Sequence, residues 1–94
     1  MFIGLKWGVP KPQKHDFSLK LTRVIEPKEG PGVELATLED AALFMGHMRP
    51  WRQTRPHWDY NAELVLIAAT TGEDADIERA TAQMERALRR DNWL

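Results

Sequence analysis

Residues 56–90 read PHWDYNAELVLIAATTGEDADIERATAQMERALRR, and this stretch decides the fold. Pro56 suits the first turn of a helix, and Gly72 suits the residue that ends one, so the pattern predicts a helix over 56–71. A second helix is predicted directly after Gly72, because acidic residues crowd its start and arginines its end, as the helix dipole favours. So short a connection predicts that the two helices form an antiparallel pair.

Each predicted helix carries one apolar stripe at helical spacing, which marks the face that it should bury. The stripe of the first helix is Trp58, Ala62, Val65, Leu66 and Ala69. The stripe of the second is Ile77, Ala80, Met84, Ala87 and Leu88. Alanines on both stripes should let the two backbones approach closely.

Upstream of this pair, Thr37-Leu38-Glu39-Asp40 predicts the start of another helix. The Thr37 hydroxyl can accept from a free backbone N–H while Asp40 approximates the reciprocal half of a capping box. Pro50 should stop this helix. Its predicted buried positions recur at helical spacing and are Leu38, Ala41, Ala42, Met45 and Met48.

Strict apolar and polar alternation from Phe17 predicts a half-buried strand, with Phe17, Leu19 and Leu21 on one side. Val24-Ile25 breaks the alternation, which predicts either a bulge or a switch to burial on both sides near Arg23. Two Pro and two Gly over 26–32 predict a loop, and the alternation at 33–35 predicts the returning strand.

The sequence therefore predicts an α+β fold, in which an N-terminal antiparallel β-hairpin packs on three α-helices, two of them an antiparallel pair. Residues 17–94 should form a single domain, since 94 residues leave room for one core. Residues 1–16 are predicted to be a basic, Gly- and Pro-containing arm or a third short edge strand.

Composition narrows the class of protein. The chain has no Cys, which excludes a thiol nucleophile and thiolate-bound zinc. Its net charge of −1 selects no partner. The apolar run 64–69 is far shorter than the roughly 18 residues of a membrane span, and 1–7 is too short for the apolar region of a signal peptide. We expect a cytoplasmic protein with no membrane partner.

The order of strand, turn, strand, capped helix, Trp-containing loop and Ala-rich helix pair resembles the small alpha-proteobacterial family grouped as domain of unknown function 982. The resemblance spans about 17–88 and rests on Glu39-Asp40-Ala41-Ala42, Trp51, Ala62, Ala68-Ala69, Gly72, Ala80 and Ala87. It implies a fold and no active site.

Residues 49–60 concentrate the side chains best suited to binding, since three Arg, two Trp, one His and the only Tyr of the chain lie there. Guanidinium groups bind phosphates or carboxylates and aromatic faces stack on bases, which favours an acidic partner or single-stranded nucleic acid. The alternative is that both Trp fill a small core while the Arg stay solvated. The candidate binding residues are Arg49, Trp51, Arg52, Arg55, His57 and Trp58.

Three functions remain open. The first is a noncatalytic interaction or regulatory module that binds a protein partner through 49–60. The second is nucleic-acid binding, with the Arg residues joined by a basic N-terminal quarter that contains Lys6, Lys11, Lys14 and Lys20. The third is a small enzyme or ligand-binding domain that uses His57, Asp59 and Tyr60.

No catalytic residue, metal site or cofactor is predicted. The three His lack metal-ligand spacing, and His47 near the end of a helix is expected to contact its last carbonyls or solvent. The acidic residues at 73–78 lack the pattern of a calcium loop. A homodimer is also considered, because Trp93-Leu94 offers a candidate apolar patch.

Overall fold

The computed structural model describes residues 15–28 and 34–94. The fold is α+β, as predicted, with a two-stranded antiparallel sheet packed on helices. The elements in chain order are β1 (Lys20–Ile25), β2 (Leu35–Thr37), α1 (Leu38–Gly46), α2 (Pro50–Gln53), α3 (Pro56–Thr71) and α4 (Asp74–Arg90). The predicted arm over 1–16, its edge-strand alternative and Val33 lie outside the described residues, apart from His15 and Asp16.

The hairpin pairs Lys20 with Thr37 and Ile25 with Leu35, and the register shifts between these pairs. This irregularity confirms the predicted bulge. The strand begins at Lys20 rather than at Phe17, because the Asp16 carboxylate accepts from the backbone N–H and hydroxyl of Ser18 and closes a turn.

Helix α1 starts with the predicted capping box. Asp40 N–H donates to Thr37 Oγ1 at 3.1 Å, and Thr37 N–H donates to Asp40 Oδ2 at 3.1 Å. The helix ends at Gly46, ahead of Pro50. Phe44 is buried on its inner face, whereas Ala42, which was predicted there, is only half-buried.

Helices α3 and α4 have nearly the predicted bounds. Gly72 ends α3 in the left-handed region at φ 68°, and its N–H donates to Ala68 O at 2.9 Å. The whole predicted stripe of α4 is buried. In α3 the predicted positions Ala62 and Leu66 are exposed, a correction. The helix is turned toward α4, so Asn61, Leu64 and Ala68 are buried instead.

The described residues contain four helices rather than the predicted three. The additional one is α2, a single turn from Pro50 to Gln53. It forms because Pro50 occupies its first position while Arg49 is extended at φ −64° and ψ 145°. The Gln53 side-chain amide then donates to the carbonyls of Met45 and Met48 at 3.0 Å each, which satisfies one acceptor in the last turn of α1 and one just beyond it.

The hairpin lies against α4 through polar contacts as well as apolar ones. Arg23 donates to Glu78 at 3.1 Å and to Glu85 at 2.6 Å. Thr22 N–H donates to Thr81 Oγ1 at 3.1 Å. Arg23 therefore pairs across the folded surface with acids from a distant segment of the chain.

The end of α4 is a Schellman motif that returns the chain to the core. Asn92 has φ 62° and donates to Arg89 O at 3.0 Å, while Trp93 N–H donates to Leu88 O at 2.7 Å. Trp93 and Leu94 are partly buried and pack on the core. They therefore do not supply the exposed apolar patch on which the homodimer was argued, and the homodimer itself stays a prediction.

Candidate functional site

The segment 49–60 is built from two Arg-Pro helix starts, six residues apart. Arg49 precedes α2 and Arg55 precedes α3, and both are extended because the ring of the following Pro disfavours helical geometry before it. Two helices begin within seven residues, so the side chains of this segment point in several directions. This explains why some of them face the core and others the solvent.

One carboxylate, Asp91, holds the inward side chains of the segment. Its Oδ2 accepts from Arg52 Nη1 and from the indole Nε1–H of Trp58, both at 2.7 Å. Its Oδ1 accepts from His57 Nε2 at 3.0 Å. The Asp91 side chain is only 6% exposed, and it lies just after the last residue of α4. Asp91 therefore links the segment 49–60 to the residue that follows α4.

The hydrogen bonds at Asp91 decide its charge. Burial alone raises the pKa of this carboxyl, but the hydrogen bonds from Trp58, Arg52 and His57 outweigh it and hold the pKa below its usual value. Asp91 is therefore ionised at neutral pH, and it balances the positive charge of Arg52.

Arg52 is also held between two indole rings. Its guanidinium carbon lies 4.7 Å from the centre of the Trp51 ring and 4.5 Å from that of Trp93. Such cation–π contacts contribute about 0.5–1 kcal/mol each at exposed sites and more where water is excluded. Trp93 continues inward, with ring centres 6.0 Å from Phe44 and 6.4 Å from Trp58. A series of edge-on and tilted ring contacts, continued by the Arg52 guanidinium, thus runs from the core to Trp51.

Trp51 ends this series of contacts at the surface, where 55% of the residue is exposed. Arg49 and Arg55 are exposed on the same segment, and the guanidinium carbon of Arg55 lies 5.8 Å from the centre of the Trp51 ring. An open groove of about 790 Å³ adjoins Trp51. It is lined by Glu34, Asp40, Leu43, Phe44, His47, Met48, Arg49, Trp51, Arg52 and Trp93.

The predicted binding residues therefore separate into two groups. Arg49, Trp51 and Arg55 are exposed, and they form the surface that we call the Arg/Trp face. The other three, Arg52, His57 and Trp58, face Asp91. Trp58 is only 1% exposed, which agrees for this residue with the alternative that the Trp side chains fill the core. These three side chains support the face rather than extend it.

Asp91 and Trp93 were missed as parts of this site. Asp91 lies 39 residues from Arg52 along the chain, and nothing in its local sequence marks it. Trp93 was noted only as a candidate patch. The available signal was Asn92 in the last turn, since Asn tolerates the left-handed conformation that folds a chain back after a helix.

His57, Asp59 and Tyr60 do not share a pocket. His57 and Tyr60 line a cavity against α4, whereas Asp59 lines a groove on the other side of α3 that includes Phe17 and Leu66. His57 Nε2 is already bound to Asp91. The geometry gives no support to proton transfer among these three side chains.

Other predicted features have simpler outcomes. His47 Nδ1 lies 2.8 Å from Leu43 O, which confirms the expected contact with a helix carbonyl. Within residues 15–28 and 34–94, no three His, Asp or Glu side chains converge as metal ligands. Of the basic N-terminal quarter, Lys6, Lys11 and Lys14 lie outside the described residues, and Lys20 is exposed at the start of β1.

No family model, curated protein or solved structure matches the chain. The resemblance to domain of unknown function 982 stays a prediction. No helix in the described part of the chain combines the length and the apolar character that crossing a bilayer requires.

Proposed function

We propose that this chain is a noncatalytic interaction module that binds an acidic segment of a protein partner through the Arg/Trp face. The observation that carries the proposal is Trp51, a large aromatic side chain that is 55% exposed and yet stacked on Arg52. Trp and Arg are the residues that most often dominate binding energy at protein interfaces. A ring already held in place loses little side-chain entropy when a partner covers it.

Charge supports an acidic partner. Among residues 15–28 and 34–94, no carboxylate lies within 4.0 Å of the guanidinium groups of Arg49 or Arg55. Arg52, by contrast, is neutralised by Asp91. The two exposed arginines flank Trp51 and can each donate a bidentate pair of hydrogen bonds to a partner carboxylate.

The groove beside Trp51 adds an apolar component. Leu43 is exposed there, and Phe44, Met48 and Trp93 contribute further apolar surface. Glu34 and Asp40 also line the groove, and the Asp40 carboxylate accepts from the backbone N–H groups of Ala36 and Thr37. A partner segment with apolar residues in the groove and acidic residues at Arg49 and Arg55 would match these side chains.

A peptide-display selection tests the proposal. A random library is selected on the native chain, and the enriched peptides are measured against Trp51→Ala and against Arg49→Gln/Arg55→Gln. We expect peptides rich in Asp and Glu, with affinity at least about tenfold weaker for each variant. Ile67→Ala and Arg79→Gln are matched controls, since both alter exposed residues that do not line the groove.

Acidic peptides that bind Trp51→Ala as tightly as the native chain would refute the assignment of the Arg/Trp face. Enrichment of no peptide, together with salt-sensitive binding of single-stranded DNA or RNA that Arg49→Gln/Arg55→Gln abolishes, would instead favour nucleic-acid binding.

The proposal includes a cytoplasmic, bacterial setting and membership of the family domain of unknown function 982. Support comes from the absence of Cys, and from the capped helix followed by an Ala-lined pair joined at Gly72. Subcellular fractionation of the tagged chain tests the location. An experimental structure of a family member without this capped helix and junction would contradict the membership.

A further inference from the structure

A second cavity, separate from the Arg/Trp face, lies where the first turn of α3 meets the last turns of α4. The two helices are antiparallel, so these ends are neighbours. The cavity has a volume of about 630 Å³ and is lined by Pro56, His57, Tyr60, Gln83, Arg86, Arg89 and Arg90. We call it the arginine pocket.

The arginines of this pocket are close to one another in the helix. Arg86 is three residues before Arg89 and four before Arg90, and side chains at these spacings are neighbours on a helix surface. Like charges at such positions repel one another. Within the described residues no carboxylate lies within 4.0 Å of any of the three guanidinium groups.

Two acids adjacent to these arginines in the sequence, Asp91 and Glu85, are engaged elsewhere. Asp91 is buried against Arg52, Trp58 and His57. Glu85 is bonded to Arg23, and this hydrogen bond is the main cause that lowers the pKa of Glu85. The charge of Arg89 makes a smaller contribution in the same direction, with no hydrogen bond between the two side chains. The helix dipole favours positive charge at this end of α4, and within the described residues no carboxylate pairs with the three guanidinium groups, so they can still bind an anionic ligand.

The floor of the pocket is ordered by Gln83, which is buried. Its Oε1 accepts from Arg86 Nη1 at 2.9 Å, and its Nε2 donates to His57 O at 3.3 Å. One of the three guanidinium groups is thus already oriented. The Tyr60 ring forms one side of the pocket and is 46% exposed, which leaves part of the ring open to a ligand.

We propose that the arginine pocket binds a nucleoside phosphate. Planar guanidinium groups bind phosphate oxygens in pairs, and three of them can balance a phosphate dianion. The Tyr60 ring offers a stacking surface for the base, a contact that accepts any base. The cavity volume falls within the range of about 300–1,000 Å³ that is typical of small-ligand sites.

This inference does not rest on the proposed function, because the two sites share no lining residue. Binding of an acidic peptide and binding of a nucleotide would be separate properties of one small domain. Either can fail without the other.

Isothermal titration at low salt with AMP, adenosine and inorganic phosphate tests the proposal. We expect AMP to bind saturably, phosphate to bind at least about tenfold more weakly, and adenosine not to bind. Arg86→Gln/Arg90→Gln should weaken AMP binding at least about tenfold, and Arg89→Gln alone less. Arg79→Gln, the same change on the same helix but outside the pocket, should bind as the native chain does.

Tyr60→Leu separates base from phosphate, since it should weaken AMP binding and leave phosphate binding unchanged. AMP that fails to saturate at millimolar concentration, or that is lost equally in Arg79→Gln, would overturn the site. Phosphate that binds as tightly as AMP, with Tyr60→Leu unchanged, would overturn the assignment of a nucleotide. Far-UV circular dichroism of each variant confirms that the fold is retained in every comparison.

Discussion

Asp91→Asn should destabilise the chain far more than its position beyond the last helix suggests. The substitution keeps the shape of the side chain but removes its charge and replaces one acceptor oxygen by an amide that donates. Arg52 and Trp58, which now share Oδ2 at 2.7 Å, keep a neutral acceptor in place of a charged one. His57 Nε2, now 3.0 Å from Oδ1, can bond the new amide only by accepting instead of donating. Arg52 is also left without a counterion.

The magnitude follows from the burial of both partners. Removing one member of a buried ion pair costs about 3–5 kcal/mol, because the other charge stays desolvated. Asp91 is 6% exposed, but the Arg52 side chain is 22% exposed and water can reach it. We therefore expect a loss of about 2–3 kcal/mol in the free energy of unfolding.

Urea denaturation at neutral pH measures this loss, with indole fluorescence and far-UV circular dichroism as independent probes. Asp59→Asn is the matched control, since Asp59 is exposed and should change stability by less than about 0.5 kcal/mol. A loss below about 1 kcal/mol for Asp91→Asn, or one equal to that of the control, would refute the role assigned to this carboxylate.

The same residue predicts a dependence on pH. The pKa of Asp91 is lower in the folded chain than in the unfolded chain, so the unfolded state binds the proton more readily. Its contribution is complete well above the unfolded pKa of about 3.9 and is lost as pH falls through the folded pKa. Below about pH 5 the native chain should therefore lose more stability than Asp91→Asn does. Parallel curves of stability against pH would contradict this.

Three further predictions concern the turns and the surface. Gly72→Ala should cost about 1 kcal/mol, because a Cβ is strained at φ 68°, and thermal denaturation should show the lower midpoint. Asn92→Ala should cost about 0.5–1 kcal/mol at φ 62°, and Asn92→Gly should restore or exceed native stability in the same measurement. Arg23→Gln should lower the midpoint slightly and only at low salt, since its bridges to Glu78 and Glu85 are partly exposed; an effect that persists at high salt would contradict this.

Features with local causes could be predicted from the sequence. The capping box depends on Thr37 and Asp40, which are three residues apart, and the end of α3 depends on Gly72 alone. The predicted stripe of α4 is buried in full because its apolar residues recur at helical spacing on one face. Each of these features is determined by residues that lie near one another in the sequence.

The errors arose where tertiary contacts outweigh local pattern. Asn61 was not assigned to the core because it is polar, yet it is fully buried and its amide donates to the sulfurs of Met45 and Met84 at 3.1 and 3.0 Å. Assigning it there requires knowing that α1 and α4 both pack on that face of α3. The burial of Trp58 beside the exposure of Trp51 has the same origin, since only α3 turns its Trp toward Asp91.

The structure divides the predicted segment 49–60 into exposed and inward-facing side chains, and this division could not be predicted from the sequence. Composition placed Arg and Trp together over 49–60. Arg52 turns inward because it pairs with Asp91, whereas Arg49 and Arg55 stay at the surface. Asp91 is distant from Arg52 in the sequence and close to it in the fold. Ion pairs between residues that are far apart in the sequence leave no periodic pattern from which they could be predicted.

This division links stability to the proposed binding. Arg52 touches both the buried carboxylate and the Trp51 ring, so the order of the exposed ring depends on a charge that no partner contacts. If Asp91 is neutralised, Arg52 loses its anchor and Trp51 gains freedom that a partner must remove on binding. Asp91→Asn should therefore weaken the binding of a selected acidic peptide even under conditions in which the variant is fully folded. Calorimetry should show that the loss of binding free energy is mainly entropic.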